Sequence, residues 1–107
     1  MKFLFANRKT DTPAEITADQ NDYPTGNAGY MRISSDAARN ITGLAGGVPG
    51  RPLIITNIGS FGITLVAASA SSLAANRIVT GVGNVLIAVS TGVSLIYDGV
   101  SSRWRTI

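Results

Sequence analysis

The stretch that decides the fold reads "LIITNIGSFGITLVA", Leu53 to Ala67. Leu53–Ile58 is rich in β-branched residues and stops at Gly59, and Ile63–Ala67 follows after the turn "GSFG". Branching at Cβ stiffens χ1 and suits a pleated, half-buried surface better than a helix. The same grammar continues downstream. Asn76–Thr80 ends at "GVGN", Val85–Ser90 at Thr91-Gly92, Val93–Tyr97 at Asp98-Gly99, and "RWRTI" (Arg103–Ile107) follows. Strand starts recur about every ten residues with turn signals between them, which predicts an all-β sandwich or barrel.

Leu53–Ile58 and Val85–Val89 are apolar at successive positions instead of alternating. That pattern predicts cover on both faces, by a second sheet or another subunit. Between the strands, the Ala- and Ser-rich Ala67–Asn76 reads as a loop with one helical turn, since serine competes with the helix for backbone hydrogen bonds.

Upstream of Arg51 the chain is polar and rich in turn residues. "MRIS" and "RNITGL" read as brief strands, Ser35–Arg39 as a helical turn, and Ala45–Pro52 as a flexible connection. Phe3 and Phe5 fall on one face of a short strand or arm. Residues 1–10 are therefore expected as an N-terminal arm and 11–107 as a single β domain, densest in strand over 51–107.

Composition narrows the work such a domain does. The chain has 107 residues, enough for one core, and 14% of them are charged against about 25% in ordinary domains. From Leu53 onward the only charged side chains are Arg77, Asp98, Arg103 and Arg105. A lone small domain needs more charge to keep its faces unassociated, so contact with an oligomer mate or partner is expected. The net charge is +3, but the nine basic residues are spread along the chain with few stacking aromatics, which argues against nucleic acid. There is no cysteine and no histidine, so disulfides, thiolate sites and the commonest general base are missing. The "DQND" of Asp19–Asp22 does not meet the calcium-loop pattern, "GVGNVL" lacks the third glycine of a dinucleotide site, and no Gly-x-Ser-x-Gly occurs. No catalytic residues, metal or cofactors are expected, and the chain reads as a non-enzyme. Phe3–Ala6 is too short for a secretory core, and no run approaches the ~20 apolar residues of a membrane-spanning helix.

The ending "SLIYDGVSSRWRTI" (Ser94–Ile107) admits two registers. A tight turn at Asp98-Gly99 sets Tyr97 opposite Val100, whereas a loop over Asp98–Ser102, the preferred reading, sets Tyr97 opposite Arg103. In both, Trp104 lies on one face and Arg103 and Arg105 on the other. Either Trp104 closes the core while the arginines meet Asp98 or solvent, or the strand meets a neighbouring subunit, where Trp and Arg are frequent anchors. Scarcity of charge elsewhere favours the second.

These residues resemble short β modules in structural proteins of tailed bacteriophages. The likeness lies in Asn57-Ile58-Gly59 and Ile63-Thr64-Leu65, in Asn76-Arg77-Ile78 after the serine-bearing loop, and in Tyr97-Asp98 with Arg103-Trp104-Arg105. It covers the second half of the chain, and "ADQNDY" to "RISSDAARNITGL" more loosely. It implies an all-β virion domain, an antiparallel β-sandwich or jelly-roll-like homotrimer, made in the host cytoplasm and carried on the particle. A chain beginning at its own methionine, without a shaft, leads to the expectation of a capsid decoration or cement protein bound to the major capsid protein. The alternative is a tail-fibre or spike module, and the third a non-viral β-sandwich binding module. Expected partner or oligomer contacts are Phe3, Phe5, Arg77, Tyr97, Arg103, Trp104 and Arg105, with the arm of residues 1–10 adding a strand to a neighbour.

Overall fold

A computed structural model describes residues 9–107. Within them the chain is nearly all-β, and its short strands wind into three stacked coils. The first coil holds β1 (Lys9–Asp11) and β2 (Tyr23–Pro24). The second holds β3 (Ala28–Ile33), β4 (Arg39–Ile41) and β5 (Leu44–Ala45). β6 (Pro52–Asn57) and β7 (Ile63–Leu65) form the third. Each coil lies parallel on the one before. Thr10 pairs with Tyr30 and Tyr23 with Leu44, and then Tyr30 pairs with Ile54 and Arg39 with Ile63. Single bridges at Ile16–Ser35 and Gln20–Ile41 carry the stacking through the corners.

The stack is then closed by a reversal. After a loop with one 3₁₀ turn (Ala74–Asn76), β8 (Ile78–Val79) leads to β9 (Val85–Ile87), which runs antiparallel to β7. β10 (Gly92–Asp98) runs antiparallel to β6, and β11 (Arg103–Thr106) returns between β10 and β8. Stacked-coil proteins need such a cap, because the last coil otherwise leaves unpaired edges. The largest sheet has the order β1-β3-β6-β10-β11-β8, with a three-stranded sheet β4-β7-β9 and a two-stranded sheet β2-β5 beside it.

The expected antiparallel sandwich is thus replaced by a mixed arrangement in which β1–β3, β3–β6, β4–β7, β2–β5 and β8–β11 are all parallel. Coiling in one sense brings each returning strand alongside its predecessor in the same direction, which a chain of hairpins cannot do. Ser35–Arg39 forms no helical turn; it bends at 36–38, where Arg39 Nε donates to Asp36 Oδ1 at 2.9 Å. Lys9 and Thr10 of the expected arm pair within β1, and the rest of that arm lies outside the described residues.

One apolar core fills the coils, with Met31, Ile33, Ile41, Leu44, Leu53, Ile55, Ile63, Leu65, Ile78 and Trp104 all fully buried. Met31 and Ile55 face each other across β3 and β6, and Ile41 and Leu65 across β4 and β7. Two buried polar side chains pin the corners. Asn57 Nδ2 donates to the carbonyls of Phe61 (2.7 Å) and Ile87 (2.9 Å), while its Oδ1 accepts from the Gly59 N–H at 3.0 Å. The buried Arg51 guanidinium donates to the carbonyls of Thr25, Gly26, Ala28 and Gly46, tying the exits of the first and second coils together. Residues 45–52 are therefore anchored through Arg51, where sequence predicts only a loose connection. A buried polar group is tolerated when its hydrogen bonds are made, and here they also fix the spacing between coils.

Within the described chain, the two runs predicted to be covered on both faces are covered on one. Ile54 points outward from β6 and is 39% exposed, and on β9 Leu86 is 61% exposed while Ile87 is buried. No second sheet of the described chain lies over these outer faces.

Candidate functional site

The hairpin of β10 and β11 settles the register of the chain's ending. Tyr97 pairs with Trp104 and Asp98 with Arg103, so the loop is Gly99–Ser102 and neither expected register is adopted. The reason is Asp98, which caps the loop. Its carboxylate accepts from the Val100 N–H (2.9 Å), from Ser101 Oγ (2.9 Å) and from Arg105 Nε (2.8 Å). The Arg105 hydrogen bond, helped by Ser101 and the loop amides, holds the Asp98 carboxyl down at about 2. Ser102 takes a left-handed φ of 55°, the strain that closes the loop. Gly99 is needed at the other end, since a Cβ there would lie 2.5 Å from the Pro49 ring.

The two faces of this hairpin separate the expected contact residues. Trp104 is 0% exposed and Tyr97 is buried. Their rings meet edge to face at 5.2 Å, Arg51 lies 5.6 Å from the Trp104 ring centre, and Trp104 Nε1 donates to the Leu44 carbonyl at 2.9 Å. Tyr97 Oη donates to the Ala75 carbonyl at 2.8 Å. The side chains of Trp104 and Tyr97 therefore face the chain's own core, and of the two sequence readings Trp104 follows the one in which it closes that core. Arg103 and Arg105 point the other way. Arg105 is exposed and paired with Asp98, and Arg103 donates to the carbonyl of Ser102 at 2.9 Å. Arg77 stands apart from them and donates to the Ser72 carbonyl at 3.1 Å, bracing the serine loop. Phe3 and Phe5 lie outside the described residues.

Two further surface features stand out. The first is an apolar patch on the segments that Asn57 ties together, where Ile58, Phe61, Leu86 and Val89 are all exposed. The second is an open cleft of about 380 Å³ lined by residues of the first coil. Asp11 and Glu15 supply its charge, Tyr23 and Gln20 its other polar groups, and Pro13 and Pro24 stand among its apolar walls. Tyr23 is 6% exposed, and its hydroxyl has no hydrogen-bond partner among the described residues. Burial, with the nearby Asp11 charge, pushes its pKa above the usual tyrosine range. The only sequence signal for this cleft was the clustering of acids and prolines in residues 11–24.

Among the described residues no three His, Cys, Asp or Glu side chains stand together to hold a metal ion. The chemistry at hand is that of contact: outward apolar side chains, a rigid hairpin carrying two arginines, and an acidic cleft. No protein-family model, curated protein or solved structure matches the chain.

Proposed function

We propose that the chain is a structural virion protein, a capsid decoration or cement protein that binds the major capsid protein and stabilises the head shell as a homotrimer. One observation carries this reading. Large apolar side chains are exposed at Ile54 on β6, at Leu86 on β9, and at Ile58, Phe61 and Val89 in the loops that adjoin those strands. Contiguous apolar surface on a compact domain marks a place where another protein sits. With so few charges over residues 53–107, these faces gain by being buried. Each Å² of apolar area removed from water is worth about 25 cal/mol, and repetition over a lattice multiplies modest contacts even after the cost of immobilisation. The phage assignment itself rests on the resemblance of the strand and turn motifs.

A second reading, a tail-fibre or spike module, is favoured by the parallel stacking, since coils of this kind extend naturally along an axis. Copy number separates the two. Densitometry of purified particles against the major capsid protein is expected to give comparable copies. A handful per particle moves the protein to the tail, and absence from particles removes the virion reading.

A further inference from the structure

Charge is unevenly placed along the coil stack. Residues 9–26 hold four acidic side chains against one lysine, whereas residues 27–107 hold six arginines against two acids. At the acidic end, Asp22 is engaged by the Leu73 amide and Asn76, and Asp19 by the Asn40 amide. The carboxylates of Asp11 and Glu15, which line the cleft, make no hydrogen bond or ion pair among the described residues. Tyr23, whose buried hydroxyl has no partner among those residues, lines the same cleft.

The β10–β11 hairpin has the complementary character. Its tip projects, with Val100 99% exposed, and is held rigid by the Asp98 cap. Arg105 is already neutralised by Asp98, but among the described residues Arg103 meets only loop carbonyls, of Ser101 and Ser102. An apolar knob beside an arginine matches a cleft with proline walls and two carboxylates.

We infer that the first-coil cleft is a docking site for the β10–β11 hairpin tip of a second copy of this chain, Val100 entering between Pro13 and Pro24 and Arg103 meeting Asp11 and Glu15. The contact joins two different patches, so it is heterologous, the kind that closes a cyclic trimer when the rotation between copies allows. It deepens the proposed self-assembly and rests on that part of the proposal. Opposed charges set the register of such a contact and make it sensitive to salt.

Sedimentation equilibrium of the full chain tests this, with Glu15→Arg, Arg103→Glu, Val100→Asp and the double variant Glu15→Arg/Arg103→Glu. Far-UV spectra check that each is folded. Wild type is expected to self-associate, more weakly as salt is raised. Each single variant is expected to lose at least tenfold in association constant, and the double charge reversal to regain most of it. A wild type that stays monomeric, single variants that associate like wild type, or a double reversal without recovery overturns the proposal. Particle copy number is read separately. Recovery in solution with absence from particles leaves the contact standing and removes the virion role, while particle binding without self-association does the reverse.

Discussion

Replacing Trp104 is the sharpest test of the packing described above. The side chain is fully buried, stacked edge-on against Tyr97, lies near the Arg51 guanidinium and donates to the Leu44 carbonyl. Truncating a buried aromatic to alanine costs about 3–5 kcal/mol. The orphaned Leu44 carbonyl pushes Trp104→Ala to the upper end of that range. A domain of this size has a total stability of about 5–15 kcal/mol, so the variant keeps a fraction of it or unfolds. Trp104→Phe keeps an aromatic ring but removes the donor and part of the buried indole volume, at about 1–3 kcal/mol. Urea unfolding followed by far-UV circular dichroism suits both, because Trp104 is the chain's single tryptophan and fluorescence is lost with it. At an m-value near 2 kcal/mol/M, the alanine variant's midpoint falls by roughly 2 M and the phenylalanine variant's by about half that. The midpoint shift is independent of protein concentration if the ring belongs to the core. A Trp104→Ala midpoint equal to wild type, or a loss that vanishes at high protein concentration, refutes the core assignment.

Three further expectations concern the corners and the loop. Asp98 has a folded pKa of about 2, below its ordinary 3.8, so its contribution is present above pH 4 and is lost as pH falls toward 2; a carboxyl NMR titration of Asp98 with a midpoint near 4 would contradict it. Asn57→Ala strands the Phe61 and Ile87 carbonyls and the Gly59 amide, and is expected to lower stability by about 2 kcal/mol or more in the same urea assay, against no change if the corner is held by packing alone. Gly47→Val drives a side chain into the Tyr97 ring and is expected to cost about 1–3 kcal/mol, whereas an unaltered midpoint would show that the loop simply moves aside.

Much of the second half was legible because turn chemistry and β-branching act over a few residues. The runs at 53–58, 63–67, 85–90 and 93–97 each contain a strand. Their direction was not legible. Parallel stacking depends on which residue lies beside which across a whole coil, and the spacing varies. Tyr23 beside Leu44 and Arg39 beside Ile63 give steps of 21 and 24 residues, too irregular to read as a repeat. The polar first coil hides the pattern further, with Gln20 bridged to Ile41. The register of the last hairpin was missed because Asp98 acts as a loop cap and a strand residue at once. Of the expected contact residues, Arg103 and Arg105 face outward, whereas Tyr97 and Trp104 turn inward because pairing places them opposite each other on the core side. Nothing local in the sequence announces the buried Arg51, since most of its hydrogen bonds go to backbone carbonyls and its side-chain partners, Thr25 and Trp104, are far away in the chain.

The Trp104–Leu44 hydrogen bond also sets a timetable. It spans 60 residues, and Leu44, Arg51 and Tyr97 all leave the ribosome before Trp104 does. At synthesis rates of about 5–20 residues per second, Leu44 waits roughly 3–12 s for the ring that covers it. Throughout that interval the apolar side chains that Trp104 covers lack the strand that buries them.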